Sequence, residues 1–578
     1  MGERDERGRD VNPSDLSAQT RACLDEALDQ LREAAPRWAR TGARERAALV
    51  ERALRDTRAV ATSWNDAACR AKGLDPRGAE GGEELLAGVG MFVRLLSEYH
   101  RSLLDIARTG RPELYGPVRH RAGGRLSVRV LPASLLDRVL YTGDVAEVWM
   151  EPGVDEETLR ATQAAAYARP EEHAGVALVL GAGNVAALAP KDVLHQLVVE
   201  GRVVIMKANP VNDYLVEYWQ RALAGFIEAG FVRLVKGARA TGEYLVNHPG
   251  VDHVHLTGSE ATFNAVVFGG GAAGEERRRR GESRLSASLS AELGNVSPVV
   301  IVPGTWSPRQ IEYQAAHVAT MLVNNAGFNC LTPRVLVTQR QWPQRGAFLE
   351  ALERVLASIP PRQAYYPGAF ERRAVFLEAH PDAHQIGDGG AGTMPWTIIR
   401  DVDADADDVC FREEAFCALT SETALDAESA PQFLARAVDF CNERLHGTLS
   451  MTILVDPRTR RRPEVSAALE RAVADLRYGT IGVNVWHAMG IMVGSTPWGA
   501  YPGHDPSDVQ SGIGSVGNAL MFARPQKAVV RGPFVAWPTP AWFATHRHAG
   551  SSLRRFVELQ FTGSWWGVPG LLWSALRP

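Results

Sequence analysis

From about residue 176 the chain repeats one unit: a short run of β-branched and aliphatic residues, then a stretch long enough for a helix. The runs fall at 176–180, 203–206, 232–235, 251–256 and 299–302. Strands buried on both faces read as continuous apolar runs, and parallel neighbours need helical crossovers, so this rhythm specifies a doubly wound sheet. A second series, including 335–337, 451–455 and 481–485, specifies another α/β domain after about residue 300. At 578 residues the chain is also too long for a single core. The expected fold is therefore α/β, with two doubly wound domains.

Other segments have different patterns. Residues 1–125 are expected to be mainly helical and to pack on the first sheet, with Leu24, Leu28, Leu31 and Ala35 on one helix face. Runs at 127–131 and 145–150 suit a hairpin. Residues 269–281 (GGGAAGEERRRRG) read as a flexible, charged surface insertion. The boundaries expected are 126–300 for the first α/β domain, 301–515 for the second, 516–532 for a further strand and 533–578 for a C-terminal extension. That extension holds Trp537, Trp542, Trp565, Trp566 and Trp573. It suits capping a neighbouring subunit, roofing a substrate tunnel or resting on a membrane surface, and packing on the protein itself is the favoured outcome.

A net charge of -4 gives no general pull toward nucleic acid or anionic lipid, which directs attention to a small-molecule partner. The six cysteines (Cys23, Cys69, Cys330, Cys410, Cys417, Cys441) show neither a CxxC pair nor metal-ligand spacing, so no metal and a reducing compartment are expected. Residues 1–10 carry seven charges where a signal peptide needs an apolar run, and read as a solvated tail. The most apolar stretch, 174–190, is broken by glycines and is too short to span a bilayer. A cytoplasmic location without a transmembrane segment follows.

The segment VALVLGAGNVAALAP, at 176–190, places Gly181, Gly183 and Ala186 at a strand-to-helix turn, satisfying the GxGxxG/A dinucleotide pattern. The next strand ends in Lys207, however, where an ordinary Rossmann site has an acid for the ribose. Either the cofactor is phosphorylated or the turn has another task.

VVIMKANP (203–210), HLTGS (255–259), AELGN (291–295), NNAGFNC (324–330), EEAFCAL (413–419) and IGVNV (481–485) occur in an order and spacing that resembles the aldehyde dehydrogenase superfamily over about residues 125–531. The resemblance implies that Cys330 is the nucleophilic thiol, forming a thiohemiacetal and then a thioester. It makes Glu292 the proton acceptor and Asn184 the amide that holds the developing oxyanion beside the Cys330 backbone N–H. It also implies an NAD or NADP site in which Lys207 reaches the adenosine ribose, and Gly258 and Ser259 meet the diphosphate at a helix N-terminus. Leu293 lies beside them, and Glu414 and Phe416 hold the nicotinamide ribose and flank the ring. An aldehyde substrate and a homodimer or homotetramer joined through the β-rich segments complete the implied picture.

The sequence departs from that pattern in several places. Pro210 falls where many NAD-preferring relatives carry a glutamate, so dual or NADP-leaning use is expected. AELGN has Gly294 and Asn295 in place of a double glycine, Phe328 and Asn329 precede the cysteine in place of a common glutamine, and TPWGA (496–500) replaces a Pro-Phe-Gly-Gly turn. LGAGNVAALAPKDVLHQL (180–197) is also similar to fatty acyl-CoA reductases of the same superfamily. Glu292 favours aldehyde oxidation, with acyl-CoA reduction and a catalytically silent scaffold as the alternatives.

Overall fold

The computed structural model describes residues 16–576, so the solvated tail expected at 1–10 lies outside the described residues. Two sheets dominate. The smaller has six strands in the order Gly512–Ile513, Ser288–Glu292, His253–Thr257, Val176–Leu180, Val203–Lys207 and Val232–Val235. Its five longer strands are parallel, and the chain reverses direction of travel across the sheet between Val176–Leu180 and His253–Thr257. Ligands in such folds bind beyond the strand C-termini at that switch point.

The larger sheet has eleven strands. Its parallel centre includes Ser450–Leu454, Ser297–Ile301, Pro333–Gln339 and Leu419–Leu425. The run at 299–302, grouped by sequence rhythm with the first sheet, thus lies in the middle of the second. The hairpin Leu126–Leu131 with Val145–Met150 also joins the second sheet, through Pro525–Arg531. A boundary at residue 300 is therefore corrected on both counts, because a local pattern identifies a strand without fixing its partner.

Helix Ala18–Arg40 lies against the first sheet, with Trp38 donating its indole N–H to Leu197 O at 3.1 Å, and helix Ala43–Ala71 packs on helices Met91–Thr109 and Val216–Ala222. Residues 269–281 are not a flexible insertion: Gly271–Arg280 is a helix, tied by Arg278 to Glu260 at 2.9 Å. The last segment forms helices Ala549–Thr562 and Val568–Ala575, the first packed on Ala79–Leu85 and the second on the first. Leu553 and Val557 are buried, Leu559, Val568 and Leu571 cluster with Leu136, Val139 and Leu140, and Trp537, Trp565, Trp566 and Trp573 are exposed. Of the five tryptophans only Trp542 packs well, against Trp486, His317 and Phe543. The extension packs on the protein itself, chiefly through aliphatic side chains.

Candidate active site

Helix Pro308–Val323 starts on a Ser307/Gln310 capping box with proline in its first turn, and ends at the NNAG turn before Cys330. Asn325, Ala326 and Gly327 all have positive φ, at 50, 55 and 78°. A Cβ at Gly327 would overlap the Cys417 backbone, so only glycine fits there. Three consecutive left-handed residues survive only where surroundings over-determine them. The buried Arg334 supplies this, donating to the carbonyls of Gly327 at 2.7 Å, Cys417 at 2.6 Å and Leu419 at 3.1 Å.

Cys330 is partly buried, with Sγ 3.9 Å from Glu292 Oε1. The same carboxylate oxygen accepts the indole N–H of the buried Trp498 at 2.7 Å, while Oε2 has no hydrogen-bond partner. Burial, and then the charge of Asp192, push the Glu292 carboxyl up to about 7, against the opposing Trp498 bond and Lys191 charge. Burial and the Glu292 and Glu414 charges push the Cys330 thiol well above its usual value. The resting nucleophile is thus a thiol beside an acceptor whose affinity for protons suits neutral pH. Lys191, buried under the same site, is brought down to about 8 by desolvation, which the nearby negative groups oppose.

Asn184 is buried and donates its side-chain amide to Phe328 O at 2.9 Å, two residues before the cysteine. The second amide hydrogen remains for an oxyanion. The Asn184 carbonyl is held by Lys72 Nζ at 3.1 Å, Asn325 Nδ2 at 3.0 Å and the Tyr365 hydroxyl at 2.8 Å. Lys72 also pairs with Glu84 at 2.7 Å, both buried, so the N-terminal helices brace the site.

Two cavities meet here. The first, of about 950 Å³, is lined by Lys207, Gly258, Ser259, Leu293, Glu414 and Phe416, the full set placed at the cofactor by resemblance, and by Pro210. Five cations, Lys207, Arg239, Arg284, Arg372 and Arg412, line it too. Ser259 caps helix Glu260–Val267. Glu414 Oε1 is buried without a partner, and burial raises the carboxyl to about 7 despite the Arg334 charge. Five glutamates, Glu243, Glu260, Glu292, Glu413 and Glu414, share the lining, and a groove of this size with cations for phosphates and an orphaned acceptor for ribose hydroxyls fits a dinucleotide. The second cavity, of about 300 Å³, shares with the first Asn184, Leu188, Glu292 and Cys330.

The departures from the family pattern find local reasons. Asn295 donates to Ser297 Oγ at 2.9 Å, and Ser297 donates to Cys330 O at 3.0 Å, so the asparagine steadies the nucleophile's backbone. A Cβ at Gly294 would overlap the Glu414 carboxylate. Phe328 packs among Tyr365, Tyr366 and Phe416. Trp498, in the TPWGA turn, holds Glu292. Sequence reasoning missed Lys72, Lys191, Asp192, Arg334 and Trp498. The available signal for Lys191 and Asp192 was a charged pair in an otherwise apolar helix, Leu188–Val198, every residue of which is buried. The structure also assembles His380, Asp408 and Cys410 with donor atoms within 4.8 Å of one another, which sequence spacing did not reveal. A His380–Asp408 hydrogen bond of 3.0 Å and the capping bond from Cys410 N to Asp408 account for that group as a local polar contact and a cap.

A model of the aldehyde dehydrogenase family matches residues 141–367. The N-succinylglutamate 5-semialdehyde dehydrogenase of Chromobacterium violaceum is 24% identical over 358 residues, 60% of this chain and 59% of that one. The Hahella chejuensis protein of the same name is 27% identical over 211 residues, 36% of this chain and 39% of that one. The matched stretches thus span well under two thirds of either relative. Among solved structures, the aldehyde dehydrogenase KauB from Pseudomonas aeruginosa aligns with a TM-score of 0.61 at 17% identity over 88% of each chain. The NADP-dependent glyceraldehyde-3-phosphate dehydrogenase of Bacillus halodurans C-125, complexed with NADP, gives 0.58 at 15% identity over 88% of this chain and 90% of that one. Such structural likeness speaks to the fold. The family model and the curated relatives add a partial sequence likeness to aldehyde dehydrogenases, over residues 141–367 for the family model.

Proposed function

We propose that the protein oxidises an aldehyde to a carboxylic acid with NAD or NADP, using Cys330 as nucleophile. The observation that carries this reading is the convergence of Asn184, Glu292 and Cys330 where the two cavities meet. Glu292 takes the thiol proton as Sγ bonds to the aldehyde carbon, and the new oxyanion is held by the Asn184 amide and the Cys330 N–H. One such donor contributes about 2.7–4 kcal/mol to barrier lowering. NAD or NADP, held in the larger cavity, would supply a hydride acceptor, and loss of hydride from the thiohemiacetal leaves a thioester on Cys330. After releasing the thiol's proton to solvent, Glu292 draws a proton from water, whose oxygen bonds to the thioester carbon and displaces the thiolate to release the acid, and Glu292 returns that proton to the thiolate.

Lys207, Gly258, Ser259, Leu293, Glu414 and Phe416 hold the dinucleotide in this reading. No carboxylate stands at Pro210 to repel a 2'-phosphate, and Lys207 and Arg239 line the same groove, which supports NADP use alongside NAD. Free thiols throughout the described residues suit a reducing, cytoplasmic setting, and no described helix is long and apolar enough to cross a membrane. Assembly as a homodimer or homotetramer is supported by the edge strand Val118–His120, which carries exposed positions. The test is formation of reduced nicotinamide from an aldehyde panel with NAD and with NADP. Turnover without coenzyme A, abolished by Cys330→Ala, is expected. A strict need for coenzyme A would replace oxidation to the acid with acyl transfer, and turnover retained by Cys330→Ala would refute the nucleophile.

A further inference from the structure

The two cavities that meet at Cys330 differ in chemical character. The larger is lined by five cations and five glutamates, whereas among the described residues no lysine or arginine lines the smaller. Its ionisable lining consists of Glu83, Asp144, Glu292, His317, Tyr141, Tyr313 and Cys330 itself. His317 is buried and held near 3, largely by desolvation, so it is neutral at physiological pH, and burial raises Asp144 to about 7. A carboxylate or phosphate on a substrate would find no cationic side chain there among the described residues and would face Glu83, Asp144 and Glu292. Burying such an unpaired charge is costly.

Most of the lining is apolar, and much of it comes from the C-terminal extension: Trp542, Leu553, Phe556, Val568, Leu571 and Leu572. From the body, Met91, Leu140, Trp486, Met489 and Met492 face them. The extension is fixed in place from both ends. Trp542 lies 5.7 Å from Trp486, centroid to centroid, and Phe543 stacks on His317 at 5.5 Å. Phe556 meets Tyr141 edge-on at 5.9 Å. Trp537 and Leu572, which also line the cavity, are exposed, so its rim at the surface is apolar as well.

We propose that this cavity receives the uncharged apolar chain of the substrate, an alkyl or arylalkyl aldehyde, and that residues 533–576 form its roof and set the chain length it accepts. The proposal rests on the reading of Cys330 as the nucleophile, since the carbonyl must sit where the two cavities meet and only the rest of the molecule enters the smaller one. Each methylene moved from water into such a lining is worth ~0.8 kcal/mol, or about a fourfold gain in kcat/KM, until the space is full.

The test uses the full chain and two readouts. First, kcat/KM is measured for propanal, hexanal, decanal and succinic semialdehyde. The expected result is a rise of about three- to fourfold per methylene from propanal to hexanal, with succinic semialdehyde at least tenfold below hexanal. Second, decan-1-ol is titrated calorimetrically into Cys330→Ala, where saturable binding with a negative heat-capacity change is expected. Ala541→Trp, which fills the cavity from the roof, lowers the ratio of decanal to propanal kcat/KM and weakens decanol binding. Phe556→Ala, which opens space, moves the preferred length upward and covers the case in which the tryptophan variant fails to fold. A flat chain-length series, a preference for succinic semialdehyde, or decanol binding unaltered in both variants overturns the proposal while leaving the dehydrogenase reading intact. Decanol binding that responds to the variants, with no aldehyde oxidised, supports the apolar cavity and sinks the dehydrogenase reading instead.

Discussion

Glu292 joins three roles in one carboxylate: it accepts from Trp498, stands 3.9 Å from the Cys330 thiol, and keeps one oxygen without a partner. Its carboxyl is raised to about 7, so it is protonated, and useless as a base, below that pH. Activity in the hydrolytic step is therefore expected to rise through about pH 7 rather than through the ordinary glutamate range near 4.5. Glu292→Gln should lower steady-state kcat by about 10²–10⁴-fold, the usual span for loss of a positioned general base. It should also remove the rising limb from the pH profile. An unaltered limb in that variant would assign the titration to another group, Glu414 being the nearest candidate by value.

At the scale of elements, the site depends on parts far apart in the chain. The NNAG turn is held from below by Arg334 and from the N-terminal helices by Lys72, which reaches Asn184 O and Asn325 Oδ1 while paired with Glu84. Lys72→Met leaves Glu84 as a buried charge without its partner, so a loss of ~3–5 kcal/mol is expected. Differential scanning calorimetry of this variant checks the figure, and a melting temperature equal to that of the parent would show that Glu84 is relieved by solvent. The sequence disclosed the strands, the thiol, the carboxylate and the amide because each lies in a local pattern with its own spacing. Lys72, Arg334 and Trp498 were not legible, because their roles arise from contacts across 112, 83 and 206 residues respectively. For the same reason 299–302 and the hairpin were recognisable as strands but not as members of the second sheet. A pattern of burial reports two covered faces without identifying what covers them.

At the scale of the molecule, the site stores unfavourable charge that cofactor and substrate chemistry would use. Glu414 sits where the resemblance puts the nicotinamide ribose, with Oε1 orphaned and its carboxyl raised to about 7 by burial. In the unfolded chain the same group titrates near 4.5, so the folded state binds the proton more tightly. Stability from this group is complete below about pH 4.5 and is lost as pH rises through 7, because the folded protein must then bury a carboxylate. Glu414→Gln removes the ionisation while keeping the shape. It should raise the melting temperature of the ligand-free protein at pH 8, by an amount corresponding to at most ~3 kcal/mol, and leave it nearly unchanged at pH 4.5. Equal shifts at both pH values would mean that the gain comes from packing and not from charge. Adding NADP should shrink the difference at pH 8 if ribose hydroxyls satisfy the Glu414 carboxylate, since a ligand bound only by the folded parent stabilises it by mass action. The same calorimetric series thus links an orphaned oxygen in the larger cavity to the cofactor it is argued to hold.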